Sequence, residues 1–438
     1  MPRASSFTFG SYRIDAGRSR ISFSYRVEFE NGAVRTYTDR LFFKNIVPDA
    51  WATIPQAVLE PTLQALLIML GINYWCVYPT KNIRIEGFAL TEAQAHFWEL
   101  MYLNGLGEFF YDMQIDFRDL IAFPYDVSLT APTPAPFKRP ARALLLNGAG
   151  KDSILSAEML KASGTPFDFF AFAPTPAHAR VAALVGATNI EVTRRRDPRL
   201  VASMWLHKVS SAYPSVSTFT FIAVLLAEVL GYDSIIFSNE RSADFGNFIY
   251  LGLPVNHQWC KSSEAEKLVN DYIRQYITPD ISTRSLLREY GELEIVRRFV
   301  CYPKYFDVVT SCNSYFWLPR PVQALYSSFW CRQCPKCVFL FACFSSYLPK
   351  RDVVKMFGAD LYADAKLLPL FRSILGIEGF KPLDCVGEPE EMILTMHAAA
   401  SGGEYAGEPA MRLFEQHFPA SYGFDEIAPR VFAPISSA

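Results

Sequence analysis

The chain has 438 residues, half of them apolar and a fifth charged, which gives room for two or three domains with a large buried core and argues against disorder. Lys and Arg number 42 against 44 Asp and Glu, a net charge of −2, without the basic surplus that a nucleic-acid binder usually carries. The N-terminus, MPRASSFTFGSYRID, has no apolar signal segment, and the stretches Pro61–Leu70 and Ser217–Leu230 fall short of the roughly 20 apolar residues of a membrane span. The expectation is a cytoplasmic protein that binds neither membrane nor nucleic acid.

Phe7–Asp15, Arg20–Phe29 and Val34–Phe43 alternate Phe, Tyr and Val with polar residues and predict antiparallel strands. Helical patterns follow over Pro55–Gly71, with Pro at its start and Gly at its end, and over Thr91–Leu103. Pro61 inside the first suggests two pieces, the longer starting at Pro61. Together these make an α+β N-terminal domain, residues 1–130. The Pro-rich stretch 131–142 reads as a stiff, extended linker.

From Ala143 the pattern changes. ALLLN (Ala143–Asn147) is a continuous apolar run, the mark of a strand covered on both faces. Helix Ser153–Gly164, strand Asp168–Pro174, helix Pro176–Ala187, strand Asn189–Arg195, helix Phe221–Gly231 and strand Asp233–Asn239 follow in alternation. That order predicts an α/β domain with a parallel sheet over 143–263. The run Arg194–Arg196 reads as a solvated turn or as a contact to an anionic substrate. Residues 264–438 read as a mainly helical region with a cysteine cluster, loops near Lys381–Glu390 and Gly402–Pro409, and an irregular tail from Ala428.

Between the first parallel strand and its helix stands NGAGKDS (Asn147–Ser153). Gly148 and Gly150 allow a tight turn that presents backbone N–H groups, and the helix points its positive end at the same place, which makes a seat for phosphate. Lys151 adds charge, and Ser153 is expected both to cap the helix and to offer a hydroxyl. The spacing is not the common P-loop, G-x-x-x-x-G-K-[ST]. It resembles the S-G-G-x-D-S loop of the N-type ATP pyrophosphatases, the PP-loop superfamily. Gly148 stands for the usual Ser and Ala149 for the first Gly, while Gly150, Asp152 and Ser153 carry the match. The resemblance implies that ATP binds at Gly148–Ser153 and is split into AMP and pyrophosphate. The plain alternative is a strand-to-helix turn.

Ser238–Asn247 follows the strand Asp233–Asn239, at the strand end where open α/β sheets bind ligands. Asn239, Glu240, Asp244 and Asn247 are candidates for substrate or Mg²⁺, with Glu240 or Asp244 holding the ion that rides on ATP phosphates. The alternative is an Asx-type capping loop. In Val255–Leu268, His257 and Cys260 both move protons near neutral pH, and Lys261 suits a phosphate or carboxylate. A structural role is the alternative for His257. Ser262 or Ser263 is expected to cap the next helix, with Glu266 as the box partner of Ser263.

Nine cysteines is an odd number, and without an export signal clustered cysteines should bind metal or do chemistry. Cys331, Cys334 and Cys337 form C-x2-C-x2-C, and with Cys312 they offer four thiolates, a set suited to a structural, tetrahedral Zn²⁺. The alternatives are an iron–sulfur cluster with Cys343 as an extra ligand, or no metal.

In order and spacing, GAGKDS, SNERSADFGN with VNHQWCKS, TSCN, WCRQCPKCVFLF and GFKPLDCVGEPEE resemble the bacterial UDP-N-acetylmuramoyl-L-alanyl-L-glutamate epimerases of peptidoglycan synthesis. The likeness covers about Ala143–Glu391 and extends loosely to the N-terminal domain. It implies an ATP- and Mg²⁺-dependent inversion of the terminal L-glutamate of UDP-MurNAc-L-Ala-L-Glu to D-glutamate, with AMP and pyrophosphate released. A functional link to a muramoyl-L-alanine L-glutamate ligase goes with it. On this reading the catalytic set is His257, Cys260 and Asp152. Cys385 lies in a family block without a role given by the match. Two rivals stand beside it. One is a nucleobase- or tRNA-modifying ATP pyrophosphatase like the 7-cyano-7-deazaguanine synthases, which have a similar cysteine set. The other is a non-catalytic nucleotide-binding or zinc-stabilised interaction module.

Overall fold

The computed structural model describes residues 3–44, 46–317, 320–323 and 329–432. The period-two pattern at the N-terminus becomes three antiparallel strands, β1 (Ala4–Asp15), β2 (Arg20–Phe29) and β3 (Val34–Phe43), which turn Phe9, Phe23, Tyr25 and Leu41 into one core. A short strand, β4 (Ile83–Ile85), joins β1 in parallel.

The helix expected in two pieces over Pro55–Gly71 is one continuous helix, Gln56–Trp75, with Pro61 inside it. Gly71 is not its end. A Cβ there would lie 2.4 Å from a Phe9 ring atom and 2.8 Å from Tyr25, so glycine is present because the helix lies directly on the aromatic face of the strands. By length and composition this helix would cross a membrane, but most of its apolar window is buried against β1 and the helix Ser215–Leu230.

Strands β5 (Ala143–Leu146), β6 (Phe167–Phe172), β7 (Asn189–Arg195) and β8 (Ser234–Phe237) form where the apolar runs predict them, all parallel. Two further strands, β9 (Phe248–Tyr250) and β10 (Leu253–Val255), make a separate hairpin. The short polar strand β11 (Ser282–Ser285) pairs with β8 at the edge, inside the region expected to be helical. The large sheet has nine strands in the order β11-β8-β5-β6-β7-β3-β2-β1-β4. It separates two cores. Leu144 faces one, with the N-terminal helices and Ser215–Leu230; Leu145 faces the other, with Lys151–Ala162 and the C-terminal helices. The molecule is thus a mixed α/β protein with a large, mostly parallel sheet and a helical C-terminal region.

The antiparallel strands continue the parallel ones, because β3 pairs with β7 from Arg40–Arg195 to Phe43–Val192. Arg194 is neither in a solvated turn nor free for a substrate. It is buried on Asp39, which has no exposed surface, and it also reaches Asn73 and the carbonyl of Leu70. The Pro-rich stretch has no regular structure and is pinned along the fold. The Phe137 N–H donates to Asp280, the Arg139 side chain to the Glu228 carbonyl, and the Arg142 N–H to Asp233. At the C-terminus the tail expected to be irregular from Ala428 is helical over Phe424–Phe432, and 433–438 lie outside the described residues.

Replacing Arg194 by Leu would leave Asp39 buried without its cation. The expected loss is about 3–5 kcal/mol in urea unfolding, and the double variant Asp39→Leu/Arg194→Leu should recover a good part of it. A double variant as unstable as the single one would show that the pair does not act as a unit.

Candidate active site

The parallel half of the sheet reverses its order between β5 and β8. The loops leaving these two strands therefore lie side by side at their carboxyl ends, the place where open α/β sheets take ligands. Asn147 organises the first loop. Its Oδ1 accepts the Ala149 N–H at 3.0 Å, and its Nδ2 donates to the His178 carbonyl and to Asn189 Oδ1. Ala149 is thereby held at φ +54°, a left-handed conformation costly for any residue but glycine. Gly150 is needed for a different reason: a Cβ there would meet Ser311 Oγ at 2.6 Å. The helix starts at Lys151 with Gly150 as its N-cap, so Ser153 does not cap it as expected. Instead the Ser153 hydroxyl donates back to the Gly150 carbonyl at 3.1 Å. The Ser311 hydroxyl, buried beside this turn without a hydrogen-bond partner, is a further donor that the sequence reading missed.

Lys151 does not extend from the loop into the open. Its ammonium is buried on Asp152, at 2.5 Å, and on Glu292. Glu292, 1% exposed, also holds Lys336 at 2.7 Å. Burial alone would raise the Glu292 carboxyl, but the two lysines outweigh it and hold it at about 2. Asp152 is pushed up, by burial first and then by Glu292 and Glu240 despite Lys151. A cation would relieve that crowding of carboxylates. Of the two residues expected to hold Mg²⁺, buried Glu240 acts on Asp152. Asp244 is exposed, and its Oδ1 accepts the Ser263 N–H at 2.6 Å at the start of the next helix. Asn239 is buried beside Cys260. Ser262 is the cap of that helix, accepting the Ala265 N–H at 3.1 Å. Glu266 is not a box partner but an acceptor for the Ser285 N–H and for Arg288.

Asn247 clips together the segments that carry the rest of the site. Its Nδ2 donates to the carbonyls of Lys381 and Pro382, and its Oδ1 accepts the His257 N–H at 2.9 Å. His257 Nδ1 pairs with Glu108, from the short helix Gly107–Asp112, and a ring nitrogen lies within 4.8 Å of Cys385 Sγ. Lys261 Nζ lies 3.1 Å from Cys385 Sγ. Burial would lower the imidazole, yet Cys385 and Glu108 outweigh it and lift it to about 10. Burial would raise the Cys385 thiol, yet Lys261, His257 and Lys336 bring it down to about 7. Cys260, expected to work beside His257, packs instead against Val216 and Ser217, and burial raises its thiol.

Lys381 has a buried ammonium with no hydrogen-bond partner, and burial lowers its proton affinity. A cation stripped of water and left unbonded marks a place for an anion. Glu108 and Glu292 carry no local sequence signal. Lys381 and Cys385 stand in the block GFKPLDCVGEPEE, which marked the place without its chemistry.

The sulfurs of Cys312, Cys331, Cys334 and Cys337 all lie within 4.8 Å of one another, with pairs at 3.8 and 4.0 Å. A tetrahedron of ~2.3 Å zinc–sulfur bonds has edges of about 3.8 Å, so the set fits Zn²⁺ with no open position. The N–H groups of Tyr315 and Cys331 point at Cys312 Sγ, at 3.3 and 3.2 Å. Cys343 stands apart, facing the Thr395 hydroxyl. Lys336 sits between two of the cluster cysteines, in the first turn of the helix Pro335–Ser345, so the cluster anchors one end of the buried charge chain.

Two family models match the chain, one described as the MurL N-terminal domain over residues 1–286 and one as the MurL C-terminal domain over 308–426. A UDP-N-acetyl-alpha-D-muramoyl-L-alanyl-L-glutamate epimerase of a Micromonospora strain is 32% identical, over 99% of this chain and 95% of its own length. Proteins of the same name from Salinispora tropica and Xanthomonas oryzae are 30% and 31% identical, over 99% and 81% of this chain and 93% and 78% of their own. A solved structure, a predicted subunit of tRNA methyltransferase from Methanocaldococcus jannaschii, aligns at 16% identity over 36% of this chain and 74% of that one. Its TM-score of 0.23 is too slight a likeness to bear on the fold.

Two substitutions test this geometry. Ala149→Gly releases the left-handed strain and is expected to raise stability by up to about 1 kcal/mol in urea unfolding, net of the extra freedom of the unfolded chain; a clear loss would show that the loop is not strained. Glu292→Gln leaves two buried lysines without their shared carboxylate and is expected to cost about 3–5 kcal/mol near neutral pH. The folded-state carboxyl lies at about 2 against an ordinary 4.5. Its contribution is therefore complete above about pH 4.5 and lost as pH falls toward about 2. Unfolding measured from about pH 7 down to about pH 3 should show the gap between wild type and variant narrowing on the acid side.

Proposed function

The chain belongs to the MurL family, and from that premise we propose that it inverts the terminal L-glutamate of UDP-MurNAc-L-Ala-L-Glu to D-glutamate, with ATP activating the α-carboxylate. One observation carries this reading: two sets of residues suited to different chemistries are joined by one buried charge chain. A Gly-rich loop and a helix N-terminus offer donors to phosphate, and the Cys385–His257–Lys261 cluster offers proton transfer. Lys336, bonded to Glu292 and acting on Cys385, belongs to both.

The chemistry requires both halves. A free carboxylate resists loss of its α-proton because the carbanion would form beside a negative charge. Adenylation turns the carboxylate into a mixed acyl-phosphate anhydride and releases pyrophosphate. The α-carbanion then delocalises into the acyl group as an enolate, and a proton returned to the opposite face inverts the centre. Hydrolysis of the anhydride restores the acid and frees AMP. On this chain the N–H groups of Gly148–Ser153 and the Ser311 hydroxyl bind phosphate oxygens. Asp152 and Glu240 fit Mg²⁺, which when bound neutralises phosphate charge. The four cysteines fit a structural Zn²⁺ that fixes Lys336. Lys381 takes a carboxylate of the substrate.

The deciding assay supplies Mg-ATP with the UDP-muramoyl L,L-dipeptide and reads pyrophosphate and the chirality of the glutamate. D-Glutamate formed with pyrophosphate supports the proposal. Pyrophosphate only with a deazapurine or tRNA moves the function to base modification, and no turnover with any of them leaves a binding module. Lys381→Met should raise the KM for the dipeptide by about 10–100-fold, the loss of a charge-assisted bond worth roughly 1.5–3 kcal/mol. An unchanged KM would remove Lys381 from the substrate site.

A further inference from the structure

Among the described residues outside the cysteine cluster, Cys385 is the thiol that the fold surrounds with positive charge. Three elements converge on it. Lys261, from the turn after β10, brings its ammonium to 3.1 Å from the sulfur. A His257 ring nitrogen lies within 4.8 Å of it, with Glu108 paired to the ring on Nδ1. Lys336, from the helix at the cysteine cluster, adds a third positive charge. Lys381, Cys260 and the neighbouring carboxylate of Asp384 are further titratable groups near it. The loop that carries it is fixed: Asp384 Oδ1 accepts the Cys385 N–H at 2.7 Å and the Asn313 side chain, and Asn247 grips the carbonyls of Lys381 and Pro382.

This surround selects a thiolate near neutral pH. Burial works against the anion, but the two ammonium groups and the imidazolium outweigh it and leave the thiol at about 7. His257 is not itself a free base, since its Nδ1 is paired with Glu108 and Glu108 and Cys385 hold the ring in its protonated form. His257, Asp384 and Cys385 stand close enough to hold a cation, but the Lys261 ammonium touching the sulfur opposes one. Cys260 has no such surround, being buried against the N-terminal end of the helix Ser215–Leu230.

We propose that Cys385 is the base that removes the α-proton of the substrate's terminal glutamate, a thiolate held in place by Lys261 and by the Glu108–His257 pair. The proposal rests on the epimerase reading above. In the step, the Cα–H bond breaks, its proton forms an S–H bond at Cys385, and its electron pair moves into the activated acyl group as the enolate. A separate acid on the opposite face, water or an ammonium, returns a proton to carbon, and the thiol releases its own to solvent. Glu108 and His257 are positioning residues.

The test uses the full-length protein with the dipeptide and Mg-ATP in deuterated water. Wild type should place deuterium at the glutamate α-carbon and form the D-isomer. Cys385→Ser should lose exchange and inversion by at least about 100-fold, the lower end of what a positioned base contributes, while pyrophosphate release persists. Inversion by Cys385→Ser near the wild-type rate overturns the proposal and leaves the epimerase reading intact; a wild type that does not invert removes both. A second measurement needs no variant. Iodoacetamide alkylation, mapped by peptide mass, should modify Cys385 with a midpoint near pH 7, faster at neutral pH than the exposed Cys301, and the dipeptide should protect it. Glu108→Gln should move that midpoint upward. A Cys385 that alkylates no faster than Cys301 and is not protected by substrate overturns the assignment.

Discussion

Glu292 holds two buried lysines, Lys151 from the Gly-rich loop after β5 and Lys336 from the helix at the cysteine cluster. All three side chains are nearly without exposure, so each charge has given up its water. Such groups persist only when each finds its counter-charge, and removing one strands the others. The pairing therefore fixes more than itself. It sets the start of the helix after β5, it ties the C-terminal helices to the sheet, and it makes the cysteine cluster part of the active-site architecture rather than a distant fastening. A buried apolar cluster could hold these elements together at less electrostatic cost. It would not carry charge from the loop after β5 toward Cys385.

The order of the strands decides where the site lies. Because β5 has β6 on one side and β8 on the other, chain leaving β5 and chain leaving β8 depart to opposite faces and leave a gap between them. The N-terminal strands extend the same sheet through β3 and β7, and the Arg194–Asp39 pair locks that junction. The packing of the N-terminal helices then carries Glu108 to His257. The N-terminal region thus contributes a charged side chain to the site, which no reading of it as a separate module would suggest.

The legible parts of this protein are the ones whose signal is local. ALLLN, DFFAFAP and DSIIFSN are apolar runs that must be covered on both faces, and their strands and intervening helices lie where the runs place them. The loop after β5 was visible through its glycines, yet only Gly150 is required by its surroundings, against Ser311; a Cβ on Gly148 would meet nothing, and Ala149 carries the left-handed strain. What escaped is set by partners far along the chain. Arg194 looked like part of a solvated basic run because Asp39 lies 155 positions away. Gly71 looked like a helix end because the rings of Phe9 and Tyr25 that exclude a side chain there come from the opening strands. Strand β11 is too short and polar to register, and only pairing with β8 makes it a strand. Cys260 was chosen over Cys385 for proximity to His257 in sequence, whereas the fold brings the imidazole to the residue 128 positions away.

Distance along the chain also explains how two reactions can answer to each other. Lys336 is bonded to Glu292, which holds Lys151, and its charge is one of those that keep Cys385 ionised. In a low-dielectric interior a charge is felt strongly by its neighbours. A negative group arriving at the loop offsets part of the positive field, and by the same physics that lowers the thiol now, a weaker field lets the sulfur bind a proton more tightly. The sign of that coupling is favourable for the proposed chemistry, because a thiolate with higher proton affinity is the stronger base at the moment the carboxylate has been activated. The buried lysines thus couple the loop after β5 to Cys385, and neither cluster stands alone in this fold.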